Sequence, residues 1–330
     1  MRHALWLPAY LIILSFVMYA LVSAEGRDSG KAAEISLAEE RTSLYMTYET
    51  PSVPWHLLAA VDRYERNIQR VRNDLEEVEG MIAFRFPDEF WRGAPNPETG
   101  DSDPAAIEFF SGGGLDGNGD GKADPNDPED ILFTLALSLG EHGGDDQAHR
   151  LALWGLYGNE EAVRQVMTIS ELFRQFGTIE LDEHVFPLPK THHYTYNGTW
   201  GAKRGWGGRR MHEGTDLFAS YGVPVRSVTY GVIEMKGWNE FGGWRVGIRD
   251  AHNVYHYFAH LASFEKGLEQ GQIVEPGTVI GYVGSSGYGK EGTAGKFPPH
   301  LHYGMYKFDG RSEWAFDPYP SLLRWEKEGK

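Results

Sequence analysis

The chain has 330 residues and a formal charge of −16, with 41% hydrophobic and 24% charged residues and no cysteine. That length suits two domains of roughly 150 residues each, and the composition excludes wholesale disorder. Without cysteine there is no disulfide, thiolate metal site, Cys nucleophile or lipid-bearing cysteine, and the negative charge speaks against a nucleic-acid partner.

Residues 1–24 open with Arg2 and His3, followed by an apolar run from Leu5 to Ala24 that closes on the small residues Val22-Ser23-Ala24. The segment reads either as a cleaved signal peptide or, since the run is long enough to span a bilayer, as a retained anchor. Either reading exports the remainder, and membrane contact is expected only through this segment. Residues 25–51 are polar and helix-permissive, a linker, stalk or leading helix. A helix is expected over Ser52–Glu79, where Leu57, Ala60, Val61, Tyr64 and Ile68 recur at spacings of three and four after Pro54. Proline, glycine and acid break the pattern from Pro87 to Asp103. Two more helices are expected, over Asp127–Glu141 and over Asp146–Phe176 with a break near Gly158. Residues 52–177 thus form an acidic helical domain.

After Gly177 short β-rich segments alternate with glycine turns, and only Tyr319–Lys327 reads as a helix, so an antiparallel β domain is expected over residues 186–320. Charge changes with texture. Residues 191–330 carry 16 basic and 14 acidic residues, leaving 15 basic and 33 acidic for the rest. The fold class is α+β, multidomain.

The segment LDGNGDGKADPNDPED (Leu115–Asp130) matches a twelve-residue calcium loop. Asp116, Asn118, Asp120, the Lys122 carbonyl, Asp124 and Asp127 stand at the ligand positions, and Gly121 at the sharp turn. Hard oxygen donors at alternate positions suit calcium. Asp at the twelfth position reaches less far than the usual Glu, which predicts weak binding or Glu129 as a substitute; an acidic loop without an ion is the plain alternative.

Three segments in the last 130 residues carry the strongest signal: Arg210-Met211-His212-Glu213-Gly214-Thr215-Asp216, then Tyr257-Phe258-Ala259-His260-Leu261, then Pro299-His300-Leu301-His302-Tyr303. Residues an even number apart in a strand share a face. His300 and His302 therefore point together, as do His212 and Asp216 if extended. Neighbouring strands could present His212, Asp216 and His302 to one ion, with His260 and His300 nearby. Two imidazoles and a carboxylate suit a catalytic zinc and leave a fourth position for water. A lone strand histidine is more often a core hydrogen-bonder. His192, His193, His252 and His256 have no matched partner, although His256 shares parity with His260. The glycine-rich GYVGSSGYG lacks the helix of a phosphate loop and fits a cleft wall. Trp200, Trp206, Trp238 and Trp244 could line a glycan groove or simply pack.

On HEGTD, YFAHL, GYVGSSGYG and PPHLHYG, in that order, residues 186–320 resemble the lysostaphin/LytM-type zinc endopeptidases of peptidoglycan. The resemblance implies one zinc per chain on His212, Asp216 and His302. His260 and His300 would orient water, stabilise the oxyanion and move protons. It also implies peptidoglycan as partner and action at the cell wall. With all five positions filled, a non-catalytic wall-binding or activator role is disfavoured. Within the family, GVPVRSVTYGVIEMKGWNEFGGWRVGIRD and GTAGKFPPHLHYGMYKFDG resemble the branch that cuts the L-Ala–D-Glu bond of the stem peptide in sporulating bacilli. That implies spore-cortex maturation in the forespore intermembrane space.

Residues 52–177 also resemble a reduced lysozyme-like lytic-transglycosylase domain, with LLAAVDRYERN placing its acid at Glu65 and the acidic loop matching its calcium loop. Arg66 stands where that family has Ser, and MIAFRFPDEF replaces its glutamine-containing segment. Glycan positioning is therefore expected rather than muramidase cleavage.

Overall fold

The computed structural model describes residues 37–75, 80–205 and 210–329. The expected leader at 1–24 lies outside the described residues, as does Trp206. Among the described residues no helix is long and apolar enough to cross a membrane.

The helices come first: α1 (37–47), α2 (Trp55–Val71), α3 (Asp88–Arg92), α4 (Pro104–Phe109), α5 (Pro128–Gly140), α6 (Asp146–Tyr157) and α7 (Glu160–Phe176). Part of the stretch expected as a linker is therefore helix. α1 delivers Tyr45 into the core, where its hydroxyl donates to Asp62 Oδ2 at 2.8 Å. α2 stops at Val71, short of the expected Glu79: Arg72 is extended, its N–H bonds the Ile68 carbonyl, and Asn73-Asp74 turn the chain. In the stretch expected to be irregular the one-turn helix α3 buries Trp91, and just past its end α4 buries Ile107, apolar anchors too isolated to show a period. Caps set the later ends. Asp127, Asp145 and Asn159 accept N–H groups at the starts of α5, α6 and α7. Gly158, in the left-handed region at φ 56°, makes the break between α6 and α7.

An antiparallel sheet follows. Its strands are β1 (Tyr194–Tyr196), β4 (Thr215–Ala219), β5 (Pro224–Arg226), β6 (Gly231–Asn239), β7 (Gly243–Arg249), β8 (Val254–Phe264), β9 (Ile273–Val274), β10 (Val279–Val283), β11 (His300–Phe308) and β12 (Glu313–Phe316). The short pair β2 (Lys203–Arg204) and β3 (Arg210–Met211) stands apart, and α8 (Tyr319–Glu328) closes the chain. The main order is β1-β4-β11-β8-β7-β6-β9, with β10 joining β5 to β8 and β12 on β11. Alternation assigns the faces. Leu301, Tyr303 and Met305 of β11 point into a core with Val246, Ile248, Phe258 and Leu261, and α8 seals it with Leu322 and Trp325. His300 and His302 take the other face.

The helical core and the sheet core meet at one end of the strands. Ala251 and Phe308, from strand-end turns, are buried in the helical cluster, and Asn67 Nδ2 donates to the Ala251 carbonyl at 3.0 Å. Arg249, 2% exposed, ties the two together: it meets Glu313 at 2.6 Å, Glu234 at 3.3 Å and, from α7, Glu161 at 3.7 Å.

Candidate metal centre and cleft

Register brings the ligand candidates together. His302 on β11 pairs with Asp216 on β4 on one side and with Ala259 on β8 on the other. His212 lies just beyond β3, in the connection to β4, where its backbone bonds Ala202 and Gly201 while its side chain joins that of Asp216. The result is a tight triangle. His212 Nε2 lies 3.0 Å from Asp216 Oδ1, His302 Nδ1 lies 3.1 Å from the same oxygen, and the two nitrogens are 2.9 Å apart. Among the described residues this is the group of three His, Asp or Glu side chains placed to hold a metal. Tetrahedral zinc with bonds of about 2.0–2.1 Å sets its ligand atoms roughly 3.3 Å apart, close to this spacing.

Backbone carbonyls fix the tautomers. His212 Nδ1 faces the Thr199 carbonyl at 2.9 Å, His260 Nδ1 the Ser286 carbonyl at 2.8 Å, and His300 Nδ1 the Pro298 carbonyl at 2.9 Å. A carbonyl only accepts, so each Nδ1 carries the proton and each Nε2 presents a lone pair. In the three-atom cluster His212 Nε2 and Asp216 Oδ1 therefore both present electron pairs, which a cation would satisfy. Burial alone would raise the Asp216 carboxyl, but its contacts with His212 and His302 outweigh that and hold it well below the usual carboxylate range. Burial lowers His302 as well, keeping the imidazole neutral as a ligand must be.

His260 reaches this face through a defect in β8. Alternation puts Ala259 with His302 and turns residues 256, 258 and 260 to the core side. Between the pairs Trp244–Leu261 and Val246–Phe258, however, β8 carries one residue more than β7, and His260 adopts φ 64°. This bulge re-aims the imidazole. Its ring lies 4.8 Å from that of His300 and 5.9 Å from that of His302, with Phe297 against both His260 and His300. Burial, with His302 and His300 alongside, lowers His260 to about 3. His256, which shares the sequence parity of His260, stays on the core side, fully buried between Tyr303 Oη (2.7 Å) and Asp250 Oδ2 (3.0 Å). It has no part in the cleft.

Gly214 is required by this packing. A Cβ there would lie 2.6 Å from His302 Cε1 and 2.6 Å from the Tyr303 carbonyl oxygen. Gly214→Ala should therefore push the His302 ring off position, lowering kcat by about a hundredfold or more and weakening zinc retention. Unchanged metal content and turnover would show that the backbone yields instead.

The centre opens on a cleft of about 410 Å³, lined by His212, His260, His302, Tyr257, Tyr306 and Arg245 among others. The glycine-rich segment forms a wall: Ser286 holds His260, and Tyr288 lines the space. Trp238 and Trp244 pack edge to face on each other at 5.2 Å rather than lining the cleft. Sequence alone offered no signal for Thr199, Tyr306 or Arg245.

The acidic loop is put together differently from the expectation. Asp116 accepts the N–H groups of Gly119 and Gly121, Asn118 that of Asp120, Asp120 that of Lys122, and Asp124 that of Asn126. Asp127 caps α5, and Glu129 takes the Tyr48 hydroxyl at 2.5 Å. The buried Asp130, which the motif omitted, gathers the loop by accepting from Gly117 and Asp124. These carboxylates satisfy the loop's own backbone and do not converge in threes on a cation position.

Glu65, on α2, lies against Tyr157, and burial raises its carboxyl to about 7. Its neighbours are structural. Arg66 pairs with Asp62 at 2.9 Å, and Arg63 bonds the Ile179 carbonyl and His252. Neither the metal-centre cleft nor the groove between α1 and residues 177–180 is lined by Glu65.

Residues 210–318 match the model of Peptidase family M23. The L-Ala–D-Glu endopeptidase of Bacillus subtilis (strain 168) is 53% identical over 317 residues, covering 96% of this chain and 97% of that protein. Lysostaphin of Staphylococcus simulans is 33% identical over 114 residues, covering 34% of this chain and 21% of lysostaphin. Among solved structures, the catalytic domain of lysostaphin aligns with a TM-score of 0.32 at 28% identity, over 40% of this chain and 93% of that domain.

Proposed function

The chain belongs to peptidase family M23 and is a zinc-dependent peptidoglycan endopeptidase, and from that premise we propose that it cuts the stem peptide at the L-Ala–D-Glu bond. The observation that carries this is full-length similarity to a relative named for that bond, together with a His-Asp-His triangle at the foot of an open cleft. We assign His212, Asp216 and His302 as the zinc ligands. Bound zinc supplies Lewis acidity.

The chain's own residues do the rest. The Thr199 carbonyl fixes the His212 ring so that Nε2 faces the ligand triangle. His300 Nε2, 3.8 Å from Asp216 Oδ1, stands just outside that triangle, at the distance of a group that handles protons rather than coordinates. With His260 it presents two lone pairs to the position of the attacking water. Water's oxygen bonds to the L-Ala carbonyl carbon, the C–N bond breaks, and the proton taken from water by one imidazole passes to the departing D-Glu nitrogen. Phe297 packs against the rings of both His260 and His300 and holds them side by side.

We place the division between the two units at residues 182–185, between Leu181 in the helical core and Phe186 in the sheet core. The helical unit is read as a wall-facing support. A muramidase reading rests only on the raised Glu65 carboxyl. Action on peptidoglycan also places the protein outside the membrane, in keeping with the apolar N-terminal run.

Digestion of purified peptidoglycan with the zinc-loaded protein should release new L-Ala carboxyl termini and D-Glu amino termini, identified by mass spectrometry. Reducing or anhydro sugar ends would transfer the activity to the helical unit. An intact sacculus would leave a binding protein.

A further inference from the structure

The cleft contains a cation that the metal chemistry does not use. Arg245 lies on β7 between the pairs Trp244–Leu261 and Val246–Phe258, directly across from the bulge that carries His260. Val246 is fully buried in the core, so Arg245 takes the cleft face, and it lines the same space as His212, His260 and His302. Its Nε is buried and has no hydrogen-bond partner among the described residues. No carboxylate among them forms an ion pair with it. Its guanidinium rests 5.9 Å from the Tyr257 ring and also meets the Tyr257 hydroxyl, a neutral partner that steadies the plane without neutralising its charge.

The other charged groups of the cleft are otherwise placed. Arg210 is exposed at the rim and lies over the Phe241 ring at 4.4 Å. Glu313 is engaged by Arg249 at 2.6 Å, and Glu213 is exposed. A half-buried guanidinium on the cleft wall with no carboxylate partner among the described residues suits an anion brought from outside the chain and met through its terminal nitrogens.

The substrate of the preceding section supplies one. A D-Glu residue has two carboxyl groups; whichever carries the peptide onward, the other is a free carboxylate. Its carbon is two to four bonds from the scissile nitrogen, or roughly 2.5–5 Å. β7 and β11 are separated by β8 alone, so at about 4.8 Å per strand Arg245 and His302 are roughly 10 Å apart at Cα. An arginine side chain directed along the cleft covers much of that gap.

We propose that Arg245 is a specificity-determining residue of this peptidase, binding the free carboxylate of the residue that follows the scissile bond. The inference rests on the L-Ala–D-Glu reading. It explains how a centre shared with relatives such as lysostaphin could select an anionic residue at that position.

The test compares two synthetic stem peptides, one with the free carboxylate on D-Glu and one with that group as the carboxamide. The zinc-loaded wild-type protein should favour the acid by about 10–100-fold in kcat/KM. Arg245→Gln should lose that preference while cutting the carboxamide at near wild-type rate, which also shows that the variant is folded. Arg245→Lys should restore part of the preference. Equal wild-type turnover of both peptides, or an Arg245→Gln loss that falls alike on both, overturns the role of Arg245 and leaves the bond assignment standing. Cleavage of neither peptide by the wild type overturns both.

Discussion

His302→Ala should release the zinc and abolish hydrolysis together, whereas His300→Ala should keep the metal and lose only the rate. The two residues are neighbours on one face of β11, yet their distances to Asp216 Oδ1 separate them: 3.1 Å for His302 and 3.8 Å for His300. His302 belongs to a three-atom set whose internal distances are 2.9–3.1 Å, and removing it leaves two ligands, too few for a stable site. Metal content should fall from one ion per chain towards none, with turnover reduced by more than about a thousandfold. His300→Ala leaves all three donors in place and removes one proton carrier, for a loss of about 10²–10⁴-fold in kcat. Metal analysis of both variants beside their kcat values decides it. Equal zinc loss in His300→Ala would mean that the ligand assignment is wrong.

Arg249→Met should lower stability by about 3 kcal/mol without changing the chemistry of the cleft. Arg249 is 2% exposed and is shared by Glu313 and Glu234 of the sheet and Glu161 of α7, with Arg164 bonding Glu161 from the helical side. Removing one member of a buried ion cluster typically costs 3–5 kcal/mol, because the remaining charges stay desolvated and unpaired. Glu161 and Glu313 have side chains 29% and 38% exposed, which places the expectation at the low end of that range. Glu234 is well buried and burial raises its carboxyl, so without Arg249 it keeps only Arg164 as a cationic partner. Arg249→Met with Glu234→Gln should therefore recover part of the loss. Arg249 pairs with Tyr255, five residues before His260 along β8, or roughly 17 Å. Turnover at low temperature should stay near wild type. A denaturation midpoint shifted by less than the equivalent of 1 kcal/mol would mean that solvent already screens the cluster.

How much of this was legible beforehand depended on whether the governing interaction was local. The α6–α7 break could be read because a left-handed glycine and an Asn cap act within a few residues, and the start of α5 because Asp127 caps it. The candidate ligands were found through motif order and even spacing. Spacing did not give the whole path: His212 reaches the centre from the connection between β3 and β4, and His260 through a bulge that alternation does not anticipate. At the acidic loop the same motif logic finds no comparable group of converging acids among the described residues. Side chains at ligand spacing can equally serve backbone N–H groups, and Asp130, outside the pattern, proved to be the anchor. The end of α2 was misplaced because polar helix-formers continue past Val71 while the burial that sustains the helix does not. Arg245 left no trace at all, since nothing in a single strand's sequence says what lies across from it.

The extra residue in β8 makes the cleft depend on counting. Removing Ala259 would return the strand to regular alternation and move the imidazole into the register position opposite His302, away from its place beside the Ser286 carbonyl and the His300 ring, however well the composition were preserved. Length changes in the turns beyond the strand ends leave that phase untouched. A recombined or grafted version of this sheet can therefore exchange its loops to suit another wall peptide, but it must inherit β8 as an indivisible length of chain.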